Sequence, residues 1–235
     1  MSEISVANAE YASKIKSILR LNFEPVAVKL IPEGENFPNY TKPERQMSHC
    51  QAIMNSRKGE YLTLKPDDFS CHVGSSALNM ISTPDGVADG TFHFNLGGFE
   101  TPEAAAKMID AREVMDKAII GEIVCPLKDA DFEPDVVIII DKPEKIYWLV
   151  PVMTREEGGK ATFCMGAFQC TCEDVTSYPY VTQKPNISLG CYGCRRRTDM
   201  APDELAAGFP YGMTEDVVTR LCKLNDGIMQ KAKRD

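Results

Sequence analysis

Two cysteines separated by two residues and set among glycines, Gly190-Cys191-Tyr192-Gly193-Cys194, constrain this chain most. Two intervening residues let both sulfurs turn toward one point, and glycine permits the tight backbone that such a knuckle requires. The positive charge of Arg195 and the two arginines after it would lower the thiol pKa values. A metal site, a redox dithiol and two inert thiols all fit this motif, and its glycine-rich flanks favour the metal site.

Nine cysteines in 235 residues is a high and odd number, so complete internal pairing is excluded. The first twenty residues lack the continuous apolar segment of a secretory signal, so we expect a cytoplasmic protein. In a reducing compartment, cysteines are buried thiols, catalytic thiols or metal ligands rather than disulfides. The chain also has 11 methionines, and such a composition suits an organism that avoids oxygen.

The charge pattern excludes several classes of function. The formal net charge is −8 and the basic residues are scattered, which argues against nucleic-acid binding. The longest apolar run, Val136 to Ile140, is far shorter than the ~20 residues that span a bilayer, so we expect no membrane insertion. The motifs of serine hydrolases, P-loop proteins and dinucleotide-binding proteins are absent from the sequence.

Apolar runs and helix-start signals alternate along the chain. Val26 to Ile31 and Pro134 to Asp141 predict strands, the second buried on both faces. Thr101-Pro102-Glu103 predicts a helix start, with threonine as the N-cap and proline at the first position. Ala161 to Phe168 is interpreted as another strand, and Asp203 to Leu205 as the beginning of a helical turn.

These patterns predict an α/β or α+β fold, with a mixed sheet flanked by helices. We expect a single compact domain over residues 1–235. If the chain were divided, the segment Pro126 to Pro134 would separate two lobes, 1–125 and 126–235.

The cysteine pair needs further ligands, because zinc and the common iron–sulfur clusters take four. Cys50 and Cys71 rank first, since each has polar neighbours and an adjacent histidine. Cys71 also precedes a predicted helix start, whose free N–H groups would stabilise a thiolate. Cys172 is the next choice, and Cys222 is expected to pack within the final amphipathic helix.

Several short motifs occur in an order that is specific as a set: Pro25 to Leu30, Arg45 ahead of Cys50-Gln51-Ala52, Cys71 before a small-residue helix start, Pro134 to Val137, Cys172, Asn186 to Arg195, and Asp203-Glu204 followed by Phe209-Pro210. In these motifs, which run from about Leu19 to about Val218, the chain resembles the domain of unknown function 169 family. That family occurs among archaea and anaerobic bacteria and has no settled activity. The resemblance implies a cytoplasmic, anaerobe-associated setting and supplies no substrate. It singles out four cysteines: Cys50, Cys71, Cys191 and Cys194.

We therefore expect a cysteine-ligated metalloprotein. Its predicted cofactor is an iron–sulfur cluster of the 4Fe–4S type, which would serve electron transfer or support a redox enzyme. Zinc is the alternative metal, and iron is preferred because of the oxygen-averse composition and the family's setting. The predicted metal ligands are Cys50, Cys71, Cys191 and Cys194.

Three basic residues have predicted binding roles. Arg195 would offset the charge of the cluster, and Lys29 and Arg45 are candidates for contacting an anionic small molecule or a partner. The expected partners are a redox protein, an anionic small molecule and a second copy of the chain, because a metal site shared between subunits would have the same sequence.

Two other functions stay open at this stage. One is a small-molecule-binding or regulatory module whose cysteines are structural or hold zinc. The other is a metal-free redox protein that uses Cys191 and Cys194 as a dithiol. The sequence leaves undecided whether the protein is an enzyme.

Overall fold

The computed structural model describes residues 2–37 and 40–232, and its centre is one six-stranded sheet. The strands are β1 (Val26–Pro32), β2 (Leu62–Leu64), β3 (Ile119–Pro126), β4 (Val136–Asp141), β5 (Asn186–Ser188) and β6 (Leu205–Pro210). Their order in the sheet is β2-β3-β1-β4-β6-β5, and every adjacent pair is antiparallel. The predicted class is confirmed as α+β, with a described sheet that is antiparallel rather than mixed.

Helices connect and cover the strands. The α-helices are α1 (Glu3–Leu19), α2 (His49–Ser56), α3 (His72–Ala77), α4 (Asp85–Ala88), α5 (Thr91–Asn95), α6 (Pro102–Asp110), α7 (Pro143–Ile146), α8 (Leu149–Met153), α9 (Tyr178–Thr182), α10 (Tyr192–Arg197), α11 (Thr214–Asp226) and α12 (Ile228–Ala232). None of the helices in the described ranges has both the length and the apolar character that crossing a membrane requires.

Both faces of the sheet are buried, because β1 and β4 are apolar at consecutive positions. On one face, alternate strand residues pack against α1 and α11, in a cluster that includes Ala27, Val137, Ile15 and Leu221. On the other face, the intervening residues pack against α2 and α10, in a cluster that includes Val28, Ile138, Ile53 and Cys194. Because β1 pairs with β4, residues from the two halves of the chain share one sheet.

A π-helix, Cys170–Ser177, also covers this second face. Its wide turns bring hydroxyl groups over carbonyl groups five residues earlier: Thr176 Oγ1 donates to the Thr171 carbonyl at 2.6 Å, and Ser177 Oγ to the Cys172 carbonyl at 3.0 Å. These bonds help to satisfy backbone groups in a conformation that is rare and often found at functional sites.

The structure corrects two local predictions. Ala161 to Phe168 has no regular secondary structure, so it does not lead as a strand to Cys170 and Cys172. Asp203 to Leu205 does not begin a helix, because Leu205 starts β6. The alanine and glycine residues of β6 give no apolar alternation, so the sequence did not predict this strand. Gly208 is needed for packing, because a Cβ at this position would lie 2.2 Å from the Val175 carbonyl oxygen of the π-helix.

Candidate metal centre

A cavity of about 460 Å³ opens on the second face of the sheet, beside the π-helix. Five cysteines line it: Cys50, Cys71, Cys172, Cys191 and Cys194. Four of these are the predicted metal ligands, which come from three distant parts of the sequence, and the fifth was the next choice. The fold therefore brings the predicted cysteines to one cavity, while their role as ligands stays a prediction.

Cys50 is positioned by the start of α2. Ser48 and Gln51 form a capping box, in which Gln51 N donates to Ser48 Oγ at 3.4 Å and Ser48 N donates to Gln51 Oε1 at 2.9 Å. This box fixes where the helix begins, and Cys50 lies in its first turn with Sγ 3.0 Å from Ser48 Oγ.

The Cys191–Cys194 pair is positioned by the start of α10. Gly190 has a φ of +86°, a conformation that favours glycine, and it turns the chain so that Cys191 becomes the N-cap of α10. Cys191 Sγ accepts from Cys194 N at 3.4 Å and lies 3.4 Å from Cys194 Sγ. Both thiols thus face the same space, as the two-residue spacing predicts.

Cys71 and Cys172 approach each other across Gly74. A Cβ on Gly74 would stand 3.8 Å from Cys71 Sγ and 3.9 Å from Cys172 Sγ. Cys71 is the N-cap of α3, and Cys172 belongs to the π-helix. The two thiols therefore occupy neighbouring positions on the cavity wall.

The contacts of the thiols change their pKa values in different directions. Hydrogen bonds from Cys170 and Cys191 lower the pKa of Cys194. A hydrogen bond to Cys194, together with burial, raises the pKa of Cys191, and burial raises the pKa of Cys172. Thr171 Oγ1 lies 3.5 Å from Cys194 Sγ as well. Cys194 is consequently the thiol that these contacts favour most as a thiolate.

A buried histidine–carboxylate pair stands behind the cysteines. His49 lines the cavity, and its Nδ1 lies 2.8 Å from Glu122 Oε2 in β3. His49 Nε2 is 3.0 Å from Thr176 Oγ1, whose own hydrogen is donated to the Thr171 carbonyl. Thr176 must therefore accept from His49 Nε2–H, and His49 Nδ1 makes the hydrogen bond with Glu122. This chain of bonds ties α2 to β3 and to the π-helix.

Aromatic and apolar side chains form another part of the lining. Phe92, His93 and Leu96 come from α5 and the residue after it, and Phe168 precedes the π-helix. The His93 ring lies 5.1 Å from the Phe92 ring at 88° and 5.3 Å from the Phe168 ring at 39°. His93 is only 1% exposed, and its Nδ1 has no hydrogen-bond partner among the described residues.

The basic residues lie elsewhere than the sequence suggests. Arg195 is turned away from the cavity: its Nη2 donates to the Glu204 carbonyl at 3.0 Å, and its Nη1 donates to the Ala201 carbonyl. Arg196 and Arg197, which follow it, line the cavity instead. The reason is the helical turn of α10, which sends successive side chains in different directions.

Lys29 and Arg45 are also outside the cavity lining. Lys29 Nζ donates to Asp135 Oδ1 at 2.9 Å, which ties β1 to the start of β4. Arg45 is an exposed residue of the segment that leads to α2. The structure gives neither residue a place beside the cysteines.

Among the residues that the structure describes, no three side chains of His, Cys, Asp or Glu are arranged to hold a single metal ion. Zinc needs its sulfurs at about 2.3 Å from one centre. Four thiols are not part of the cavity lining: Cys125 and Cys170 are buried, Cys222 is half-buried in α11 and Cys164 is exposed. Cys222 thus packs as predicted.

Sequence reasoning missed the aromatic lining and the His49–Glu122 pair, and it gave the role of offsetting the cluster charge to Arg195 rather than to Arg196 and Arg197. His49 and Glu122 are 73 residues apart, and their contact depends on how α2 packs on β3. A buried carboxylate could have been suspected from Glu122 alone, since it interrupts the apolar run of β3. The aromatic residues carry no comparable signal, because Phe and Leu in short helices usually indicate core packing.

Comparisons with known proteins give a family but no activity. The model of the domain of unknown function 169 family, described as "Uncharacterised ArCR", matches residues 14–220. The "Uncharacterized protein MJ0308" of Methanocaldococcus jannaschii is 30% identical over 214 residues, which cover 89% of this chain and 91% of that protein. No solved structure matches the chain.

Proposed function

Since the chain belongs to the domain of unknown function 169 family, whose description names no activity, we propose its function from the cavity itself. The protein binds an iron–sulfur cluster of the 4Fe–4S type and serves electron transfer or supports a redox enzyme. The proposed ligands are Cys50, Cys71, Cys191 and Cys194. The observation that carries the proposal is that all four line one cavity.

The number of thiols and the size of the cavity support a cluster. A cluster distributes its thiolates over several iron atoms. The four proposed ligands line a cavity of about 460 Å³. Four soft thiolate donors also suit iron–sulfur clusters and zinc better than oxygen-preferring metals.

The remaining residues supply charge and position. A thiolate-bound cluster would be anionic, and the guanidinium groups of Arg196 and Arg197 are the cavity-lining cations that offset it. His49 is fixed by Glu122 and Thr176, and it holds the start of α2 in place beside Cys50. When bound, the cluster would supply one-electron chemistry.

Dithiol chemistry without a metal is the second candidate, and one observation favours it. Cys191 and Cys194 have sulfurs 3.4 Å apart, and hydrogen bonds from Cys170 and Cys191 lower the pKa of Cys194. A thiolate beside a second thiol is the arrangement that thiol–disulfide exchange uses. This candidate leaves Cys50 and Cys71 without a role.

The test is anaerobic purification followed by reconstitution with iron and sulfide. The protein should be brown and absorb broadly near ~400 nm, as thiolate-bound clusters do. Cys191→Ser and Cys194→Ser should each abolish this absorption, whereas Cys222→Ser, which changes a thiol of α11 outside the cavity, should retain it. Equal retention in all three variants would refute the assignment. Metal-free protein whose Cys191–Cys194 dithiol reduces disulfide substrates, and is itself oxidised to a disulfide, would favour the second candidate.

A further inference from the structure

The cysteine cavity has two unlike walls. Thiols line one part, and Phe92, His93, Leu96 and Phe168 line another. The side chains of Phe92 and Leu96 are 46% and 45% exposed, so apolar surface is left open to solvent at the cavity. A volume of about 460 Å³ falls in the range of small-molecule sites, roughly 300–1,000 Å³. The cavity therefore has an apolar surface that suits an organic ligand and has no role in binding a metal through the thiols.

The cavity also has positive charge that no carboxylate of the described residues pairs with. Arg196 and Arg197 line it, and in the described part of the chain neither has a carboxylate within ion-pair distance. Arg196 Nη1 donates to the hydroxyl oxygen of Tyr192 at 2.6 Å, which holds the guanidinium near the ring of Tyr192. Two exposed guanidinium groups without carboxylate partners are suited to an oxyanion.

His93 supplies a third, independent observation. It is buried among the aromatic rings, and Nδ1 lacks a partner although buried polar atoms are almost always hydrogen-bonded. The side chain lines the same cavity. Burial lowers the pKa of His93, with a contribution from Arg112, so the ring is neutral near pH 7. A neutral imidazole with a free nitrogen can accept or donate one hydrogen bond to a polar substituent.

We propose that the cavity binds a planar aromatic carboxylate, which lies between the aromatic wall and the cysteines. The ring contacts Phe92, His93 and Phe168, and the carboxylate contacts Arg196 and Arg197. The ligand binds in the same cavity as the proposed cluster. Only its place beside the cluster rests on the proposed function. An aromatic ring suits the aromatic wall, where it can make edge-to-face or tilted contacts, and negative charge suits the two arginines.

Binding of 2-naphthoate to the full chain tests this proposal, by calorimetry with metal-free and with reconstituted protein. Two matched controls isolate the requirements: naphthalene-2-carboxamide keeps the rings without the charge, and decahydronaphthalene-2-carboxylate keeps the charge and the two rings without their aromaticity. Each should bind about tenfold more weakly than 2-naphthoate, because charged hydrogen bonds and aromatic contacts are each worth roughly 1–2 kcal/mol.

Variants locate the site. Arg196→Gln and Arg197→Gln should each weaken 2-naphthoate binding by about tenfold. Arg155→Gln, which removes an exposed arginine that does not line the cavity, should leave the affinity unchanged. Because Arg196 and Arg197 are exposed, their variants should fold normally.

The outcomes separate this inference from the proposed function. If the protein carries the cluster but binds 2-naphthoate no better than its amide, the ligand assignment is overturned and the cluster stands. If no cluster forms but the metal-free chain binds 2-naphthoate with the expected dependence on Arg196, the cluster is overturned and the ligand class stands. Equal binding by all variants would overturn the site.

Discussion

Arg57 Nη1 donates to Glu204 Oε1 at 2.7 Å, across 147 residues of sequence, and both side chains are buried. Arg57 is the C-cap of α2, the helix that carries Cys50. Glu204 also accepts from Ala201 N at 2.8 Å, in the segment after α10, which carries Cys194. This ion pair therefore joins the two parts of the chain that bring Cys50 and Cys194 to one cavity.

Glu204→Gln should destabilise the fold by about 3 kcal/mol, because it leaves the Arg57 guanidinium buried without its principal carboxylate. Urea denaturation monitored by circular dichroism measures the change. Asp203→Asn is the matched control, since the neighbouring Asp203 pairs with Lys142 on the surface at 3.1 Å, and its midpoint should hardly move. Equal effects of the two variants would show that the buried pair does not hold the cavity together.

Gly208→Ala should destabilise the protein by about 2 kcal/mol or more, because the new Cβ would lie 2.2 Å from the Val175 carbonyl oxygen and would push the π-helix off the sheet. Gly212→Ala is the control, since no atom lies within 4 Å of its Cβ position, and its cost should stay within about 0.5 kcal/mol. Thermal unfolding of both variants gives the comparison. A mild effect at Gly208 would contradict the close contact between β6 and the π-helix.

The π-helix should make stability depend on pH. Burial raises the pKa of Glu173 to about 8 and that of Asp174 to about 6. Unfolded, both carboxyls titrate near pH ~4, so between about pH 4 and 8 the folded chain holds more protons than the unfolded chain. The free energy of unfolding should therefore fall as pH rises through this window, by at most about 1.4 kcal/mol per pH unit for each proton.

Glu173→Gln should flatten this dependence between pH 6 and pH 8, because the amide has no proton to lose. Urea denaturation at several pH values provides the slopes. Asp203→Asn, which alters an exposed carboxyl in the loop before β6, should keep the slope of the unchanged protein. A stability that rises with pH in this window would contradict the protonated state of the buried carboxyls.

Cys71 and Cys172 are neighbours on the cavity wall, which makes their relative importance testable. The proposed ligand is Cys71, so Cys71→Ser should reduce the cluster content of reconstituted protein much more than Cys172→Ser does. Both variants replace a cysteine by serine at neighbouring positions of the cavity wall. The iron content of each variant therefore shows which of the two cysteines is the ligand. If Cys172→Ser loses the cluster and Cys71→Ser keeps it, Cys172 is the fourth ligand.

Local patterns in the sequence predicted two central strands of the sheet and the start of α6. β1 and β4 are continuous apolar runs, and Thr101 Oγ1 accepts from Ala104 N at 3.1 Å as the predicted cap of α6. The strand β6 escaped prediction because alanine and glycine give no apolar alternation. The π-helix escaped because its bonds from Thr176 and Ser177 to carbonyls five residues earlier form no hydrophobic period.

The sequence predicted which cysteines belong to the candidate site, but it did not predict the other residues that line the cavity. Motif spacing and chemistry selected Cys50, Cys71, Cys191 and Cys194, which all line the cavity. The position of Arg195 could not be predicted, because its direction depends on where α10 begins and on the carbonyls of Ala201 and Glu204. Contacts across long sequence separations, which place the aromatic wall, need the folded structure.

The most direct test of the proposed function is the iron and acid-labile sulfide content of the anaerobically reconstituted chain. The proposed site predicts about four iron atoms and about four sulfides per chain, with the content lost in Cys194→Ser. A colourless protein that contains one zinc per chain and no sulfide, with the zinc retained in Cys194→Ser, would contradict it.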